Sequence, residues 1–214
     1  MNIHMDLKNM RLNYEKSSID FNNLFDNPFS FFSLWMNDAI NVVKEANAFV
    51  LSTVSRNNLP SSRVVLLKHF DQNGFIFYTN YESDKSIDIS NNKFVSLNFY
   101  WPNLERQVRI SGKASRISAE KSDTYFKSRP KESKIGALLS HQSEEIDLNY
   151  DFSERFQKIK DSLKSSEIKR PDNWGGIIIK PNFFEFWQGK PSRLHDRICY
   201  KIKENKWTLY RLSP

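Results

Sequence analysis

Helical periodicity and strand-like runs alternate along this 214-residue chain, and their order predicts a mainly β protein with helices around it. The first 20 residues are polar and irregular, and read as a short helix or a mobile arm. Asp26-Asn27-Pro28 then marks a helix start, with a capping side chain ahead of a proline suited to the first turn. Phe29, Phe32, Trp35 or Met36, Ile40 and Val43 recur at helical spacing, predicting one amphipathic helix through about Ala46.

Strand signals follow. Ala48 to Ser55 is apolar and β-branched, Arg56-Asn57-Asn58 is turn-like, and Pro60 to Phe70 reads as the partner strand. Asp71-Gln72-Asn73-Gly74 closes it as a turn before a strand over Phe75 to Thr79. Ser83 to Asn91 reads as a short helix, and Lys93 to Trp101 with Glu105 to Ile117 as a hairpin around Pro102-Asn103. Three helices are predicted next, over Ala119 to Ser128, Lys131 to Ser140 and Phe152 to Ser165. Strands return over Trp174 to Lys180, Phe183 to Gln188, Arg197 to Lys203 and Trp207 to Leu212, the last two joined by Glu204-Asn205-Lys206. Short strands at this density imply an antiparallel barrel or sandwich, with the helical middle wrapped on it. No repeat or linker interrupts the pattern, so residues 21–214 read as one domain after a 1–20 arm.

Composition narrows the chemistry. Only six glycines occur and no GxGxxG or GxxxxGK[ST] motif, so a nucleotide-like ligand must be held by side chains and ordinary strand backbone. Cys199 is the single cysteine, which excludes an internal disulfide and a cysteine-rich zinc site. No metal cluster is evident. The opening residues lack a secretory apolar run, and the longest apolar stretches are too short to span a bilayer, so a soluble cytoplasmic protein without membrane partners is expected. The formal charge of +7 fits nucleic acid or small phosphorylated ligands. The lysines are scattered rather than blocked, which favours the small ligand and no nucleic acid.

Several segments offer candidate chemistry. If Arg193 to Arg197 is extended, Arg193, His195 and Arg197 form one cationic row, with Leu194 and Asp196 on the other face. Such a row suits an anionic or polar ligand, and equally a solvated edge with Asp196 as counter-charge. Arg63-Val64-Val65-Leu66-Leu67-Lys68 is an apolar strand with a cation at each end. The odd spacing sends those cations to opposite faces unless a bulge intervenes. Tyr125 and Arg129 share a helix face, and Ser133 follows just beyond Pro130, a combination able to hold phosphate. Lys85 lies near a helix start; Gln107, Gln142 and Ser143 carry groups able to read a flavin edge, and Trp187 can pack on a planar ring. Each segment alone also fits ordinary structure.

Together, in order, they are more specific. Arg63 to Lys68, Phe77-Tyr78-Thr79-Asn80, Leu104-Glu105-Arg106-Gln107, Tyr125-Phe126-Lys127-Ser128-Arg129-Pro130 and Ile135-Gly136-Ala137 resemble successive motifs of the pyridoxine/pyridoxamine 5′-phosphate oxidase family. Phe186-Trp187-Gln188-Gly189 followed by Arg193-Leu194-His195-Asp196-Arg197 is the most specific part, and the resemblance runs from about Arg11 to the closing Arg211-Leu212-Ser213-Pro214.

The resemblance implies an FMN-binding split β-barrel, antiparallel and of Greek-key type, with peripheral helices, acting as a homodimer with FMN at the subunit interface. The implied reaction oxidises pyridoxine 5′-phosphate or pyridoxamine 5′-phosphate by dioxygen to pyridoxal 5′-phosphate, with hydride passing from the substrate 4′ carbon to the flavin. Hydrogen peroxide is released, with ammonia from the amine. FMN contacts fall by resemblance on Arg63, Val64, Val65, Leu66, Leu67, Lys68, Tyr78, Thr79, Lys85, Gln107, Gln142, Ser143, Trp187 and Arg197. Substrate contacts fall on Lys68, Tyr125, Arg129, Ser133, Arg193, Leu194 and His195, with Arg11 and Tyr14 closing from the arm and Arg193 and His195 as the catalytic pair. Where the family generally has a basic residue before its equivalent of Lys85, this chain has Asp84, which is expected to turn away from the flavin phosphate. The rival readings are a related flavin oxidase of another ring substrate and a non-catalytic flavin or pyridoxal-phosphate carrier.

Overall fold

The computed structural model describes residues 4–163 and 168–214. The first three positions of the expected arm, and Lys164 and Ser165 at the end of an expected helix, lie outside the described residues. In chain order the elements are helix α1 (Pro28–Ile40), strands β1 (Ala48–Val54), β2 (Pro60–Leu66), β3 (His69–Asp71) and β4 (Gly74–Asn80), helix α2 (Asp84–Asn91), and strands β5 (Phe94–Trp101) and β6 (Arg106–Arg116). Helices α3 (Ala119–Ser128), α4 (Lys131–Leu139) and α5 (Phe152–Ser162) follow, then strands β7 (Trp174–Gln188), β8 (Asp196–Lys203) and β9 (Lys206–Arg211). The strand order is β2-β1-β5-β6-β7-β4-β3, with β8 on β7 and β9 on β8. No helix among the described residues is long and apolar enough to cross a membrane.

The chain divides into two compact units, one of Met1–Ala46, Asn98–Arg109 and Phe183–Pro214, the other of Asn47–Leu97 and Ile110–Asn182. In the first unit, α1 starts where the Asn27 side chain accepts from the Phe29 N–H and Pro28 occupies the first turn. Its buried face carries Phe31, Phe32 and Trp35. Phe31 stacks on Phe186 at 4.4 Å, and Phe32 meets Phe99 edge-on at 5.2 Å. The Trp101 indole N–H, buried with its ring, donates to Ala46 O at 2.9 Å. The helix ends at Ile40, earlier than the apolar spacing predicts. There Val42 and Val43 both turn back to donate to Ala39 O, and β-branched residues favour leaving the helix. The arm is tied to this unit where Lys16 N donates to Glu105 Oε2 and Ile19 N to Asp196 Oδ2.

In the second unit, β1 and β2 pair antiparallel with Leu51 opposite Arg63, and β4 pairs with the first half of β7. The core includes Phe49 against Phe77, and a cluster of Phe126, Ile135, Ile168 and Trp174. The single strand expected from Pro60 to Phe70 is two strands, because the backbone changes partner. Leu67 N donates to Asn47 O and Lys68 N to Ile76 O, each at about 2.9 Å or less. Gly74, at φ 141, closes the next turn; a Cβ there would lie 2.3 Å from Ile179 O.

The two strands expected from Trp174 and Phe183 are one continuous strand, β7. Pro181 sits between its ladder to β4, which ends at Ile179, and its ladder to β8, which starts at Phe183. The β8–β9 turn is the two residues Glu204 and Asn205, both at positive φ, so Lys206 already belongs to β9.

Candidate active site

The expected site residues collect mainly in two cavities, one in each unit. The larger, of about 820 Å³, belongs to the second unit and is lined by Arg63, Val64, Val65, Leu66, Lys68, Tyr78, Thr79, Lys85, Tyr125, Arg129, Ser133, Gln142 and Ser143. Leu67 is the exception in its segment, buried at 6% exposure and absent from the lining. Arg63 and Lys68 both reach the cleft despite their odd spacing. The strand stops at Leu66 and the chain changes partner before Lys68, which resets the alternation.

Among the described residues, no carboxylate contacts Arg63. Its guanidinium donates to Thr53 Oγ1 at 2.7 Å, Ser61 Oγ at 2.6 Å and Leu51 O at 3.2 Å. Thr53 in turn donates to the buried Asp88 carboxylate at 2.6 Å. Burial lowers the Arg63 pKa, opposed by the charges of Asp88 and Asp84. Lys85, in the first turn of α2, donates to Gln142 Oε1 at 2.7 Å, Ser83 Oγ at 3.0 Å and Thr79 Oγ1 at 3.4 Å. Burial pushes its pKa down to about 8, the nearby Arg63 charge pushes the same way, and Asp84 resists. A second anionic group in this cleft would relieve that repulsion.

Asp84 is close enough for its charge to act on Arg63 and Lys85. It lines the cleft, exposed, with its N–H donating to Ser143 Oγ at 3.3 Å. It is the first residue of α2. The cleft also includes Ser61, Asn80, Gly136, Ser140 and Trp174, none of them singled out as site residues from sequence. Gly136 lay in a quoted motif and has open space where a Cβ would stand.

Also lining the cleft, the Tyr125 ring stacks on Tyr78 at 3.8 Å, and burial raises the pKa of both phenols. Arg129 follows at the C-cap of α3, and its Nη1 is buried with no hydrogen-bond partner among the described residues. Burial lowers its pKa. Arg129 lines the cleft, and a desolvated guanidinium donor is costly unless an acceptor arrives.

The smaller cavity, about 560 Å³, belongs to the first unit and gathers Arg11, Tyr14, Trp187, Arg193 and His195, with Lys190 and Ser192. Tyr14 packs edge-on against Trp187 at 5.6 Å and His195 at 5.8 Å. The extended row expected from Arg193 to Arg197 is not formed. Ser192 and Arg193 have φ 56 and 62, and β8 begins only at Asp196, so strand alternation does not apply to Arg193 and His195. They nevertheless share a cavity, through a turn rather than a strand. His195 Nδ1 accepts from Lys190 N at 3.1 Å, which leaves the proton of the neutral ring on Nε2. Burial, then the Arg193 charge, lowers its pKa, so the neutral ring is favoured near pH 7.

Gln107, Leu194 and Arg197 lie outside both linings. Leu194 is exposed and Gln107 half-buried on β6. Arg197 is engaged within its unit, with Nε and Nη2 each 2.7 Å from Glu185 Oε1 and Nη1 2.8 Å from Ser213 O. The other oxygen of Glu185 accepts from Arg109 at 2.8 Å.

The comparisons with known proteins bear on this arrangement. The family model described as pyridoxamine 5′-phosphate oxidase matches residues 36–155, and that of the pyridoxine 5′-phosphate oxidase C-terminal dimerisation region matches residues 174–214. Pyridoxine/pyridoxamine 5′-phosphate oxidase 2 of Hydrogenovibrio crunogenus is 49% identical over 211 residues, covering 98% of this chain and 99% of that protein. Among solved structures, PhzG from Burkholderia lata, in complex with tetrahydrophenazine-1-carboxylic acid, superposes with TM-score 0.86 at 26% identity over 93% of this chain and all of that one (100%). A pyridoxamine 5′-phosphate oxidase-related, FMN binding protein from Nostoc punctiforme shares the fold at TM-score 0.73 and 17% identity, over 89% of this chain and 100% of its own. The fold is thus the split β-barrel of these flavin-binding proteins, with helices at its periphery. Family models over both segments, and a relative nearly half identical from end to end, agree with the motif order along the chain. The chain belongs to the pyridoxine/pyridoxamine 5′-phosphate oxidase family.

Proposed function

We propose that this protein uses FMN and dioxygen to oxidise pyridoxine 5′-phosphate or pyridoxamine 5′-phosphate to pyridoxal 5′-phosphate, a step of pyridoxine and pyridoxal-phosphate biosynthesis. The observation that carries this reading is the larger cleft, where four cations converge and the buried Arg129 Nη1 lacks a partner among the described residues. Arg63 and Lys85 fit the FMN phosphate, since both are desolvated and neither touches a carboxylate among the described residues. Val64, Val65, Leu66, Tyr78 and Thr79 form the wall beside it, with Gln142 and Ser143 closing the polar side. FMN held here would supply a hydride acceptor for the substrate 4′ carbon and a route for those electrons to dioxygen, with hydrogen peroxide as product.

The residues of the chain bind and orient. Lys68, Tyr125, Arg129 and Ser133 hold the substrate phosphate and so fix one end of the molecule. Arg193 and His195 orient the pyridine ring. His195 acts as a neutral donor through Nε2–H, because its Nδ1 is already occupied by Lys190 N–H. Arg11 and Tyr14 of the 1–20 arm cover the substrate, and residues 21–214 form the catalytic domain. Leu194, Gln107, Trp187 and Arg197 complete the substrate and flavin contacts. The working form is a cytoplasmic homodimer with FMN at the subunit interface, in keeping with the dimerisation region matched at residues 174–214.

A second reading, oxidation of a different ring substrate, is favoured by the similarity to PhzG. The phosphate-suited groups Arg129 and Ser133 weigh against it. One experiment separates the two: record the visible spectrum of purified protein, add pyridoxine 5′-phosphate in air, and assay peroxide. Flavin absorption with peroxide release is expected; flavin absorption without peroxide overturns the proposed substrate. Arg193→Ala is expected to cut turnover strongly and leave FMN bound, and unchanged turnover at saturating substrate would remove Arg193 from the catalytic pair.

A further inference from the structure

Arg129, half-buried with its Nη1 fully buried, is held in an unusual manner for an arginine. Guanidinium groups in protein interiors ordinarily spend their donors on carboxylates or carbonyls. Here Cζ stands 4.5 Å from the centre of the Trp174 ring and 5.5 Å from that of Phe126. Nη1, buried, has no hydrogen-bond partner among the described residues. The charge is therefore stabilised by ring faces, which attract a cation without consuming its N–H groups.

The ring supporting it is itself fixed. Trp174 is the first residue of β7 and is buried, meeting Phe126 edge-on at 5.1 Å. It lies parallel to Tyr78 at 5.5 Å and to Tyr125 at 6.3 Å, and those two stack on each other at 3.8 Å. The backbone around it is anchored too, since Arg170 donates to Trp174 O at 2.7 Å. Trp174 also lines the cleft.

We propose that Trp174 is a positioning residue for phosphate recognition: its ring holds the Arg129 guanidinium at the cleft wall with its donors unspent, ready for the phosphate of the ligand. The inference rests on the reading of Arg129 as a phosphate contact given above. It adds a residue whose side chain need not touch the ligand. A carboxylate in place of the ring would hold Arg129 as firmly, but would compete with the phosphate for the same donors and cancel the charge that attracts it. An aliphatic residue would leave the cation desolvated and unsupported, free to swing from the wall.

The test compares paired ligands on the FMN-loaded protein: pyridoxal 5′-phosphate and unphosphorylated pyridoxal, with dissociation constants from equilibrium titration. Trp174→Leu is expected to weaken pyridoxal 5′-phosphate by about tenfold and leave pyridoxal unchanged, so that the preference for phosphate shrinks by that factor. Trp174→Phe, which restores a ring face, is expected to recover most of the preference. General damage to the fold would weaken both ligands together, and Trp174→Phe, smaller but aromatic, guards against a variant that fails to fold. Arg129→Ala tests the underlying reading. If Arg129→Ala keeps the phosphate preference, the assignment of Arg129 fails and this inference with it. If Arg129→Ala loses the preference while Trp174→Leu keeps it, or if Phe and Leu at position 174 lose it equally, Arg129 stands and the role of the Trp174 ring is overturned.

Discussion

The larger cleft and the cluster around Glu185 both concentrate cationic side chains, and they treat the charge in opposite ways. In the cleft, Arg63 and Lys85 are held by hydroxyls, an amide oxygen and a backbone carbonyl, and Arg129 by ring faces. Around Glu185, one buried carboxylate receives Arg109 on one oxygen and Arg197 on the other. Neutral partners orient a cation and leave its charge available, whereas a carboxylate consumes it. The first arrangement is suited to receiving a ligand anion; the second is complete as it stands and fastens β7, β8 and the end of the chain near Ser213.

The contrast is broken most forcefully by removing Glu185. Its carboxylate is 3% exposed, and Glu185→Ala leaves Arg109 and Arg197 without their shared carboxylate. Losing one partner of a buried pair costs about 3–5 kcal/mol, and the half-exposed Arg109 recovers some of that in water, so a loss of about 2–4 kcal/mol is expected in urea unfolding. Lys85→Met is expected to leave the unfolding midpoint of cofactor-free protein unchanged or raised, because it removes a desolvated charge that Asp84 only partly offsets. Equal destabilisation by both variants would erase the distinction between the regions.

The same Lys85→Met variant should act where Glu185→Ala does not, on cofactor affinity. Loss of one charge-assisted phosphate contact is worth about 1.5–3 kcal/mol, or roughly 10- to 150-fold in the FMN dissociation constant. Fluorescence titration of cofactor-free protein with FMN measures it. A change below threefold, on the order of 0.6 kcal/mol, would mean that Lys85 is not a phosphate ligand.

Much of this was legible in the sequence, and the gaps have physical causes. The Asn27-Pro28 cap, the Asn73-Gly74 turn and the helix over Ala119–Ser128 were readable because local chemistry decides them. Motif order located most of the larger cleft. What sequence misjudged depended on partners far along the chain. The break after Leu66 exists because Asn47 and Ile76 claim successive N–H groups, and β7 runs through Pro181 because its two halves pair with different strands. The cationic row from Arg193 failed because Ser192 and Arg193 take left-handed backbone angles that no residue-type preference announces. Trp174 was read only as the start of a strand, since a ring's role in holding a cation appears only when Arg129 is seen above it.

A pH titration sharpens the comparison further. Lys85 has its pKa lowered to about 8 from an ordinary 10.5, so the unfolded chain binds the proton more tightly than the folded one. Between those values the unfolded state carries more protons, and the cofactor-free protein gains stability from this group as pH rises. FMN affinity runs the other way, because phosphate prefers the charged ammonium. Affinity is expected to hold steady below pH 7 and to fall as pH rises past about 8, by up to about tenfold per unit. Lys85→Met should flatten both profiles. A parallel fall in the variant would assign the titration to another group.

The smallest effect concerns Asp84, the one carboxylate among the described lining residues of the cleft, where two consequences of a single charge oppose each other. It repels a bound phosphate, and it also favours the protonated form of Lys85. Below pH 7 Lys85 is charged with or without Asp84, so only the repulsion remains. Asp84→Asn should then tighten FMN by about 0.3–1 kcal/mol, the scale of an exposed charge near a helix start. Toward pH 8 the second effect grows, because without Asp84 the lysine loses its proton earlier. The advantage of Asp84→Asn should therefore shrink as pH rises and vanish near the Lys85 titration. Dissociation constants for both proteins at pH 6.5 and pH 8.5, in low and high salt, test this on a scale of about an 8–10 Å screening length. A constant advantage across pH would show that Asp84 acts on the phosphate alone; no advantage at low pH would place its charge outside the reach of the phosphate.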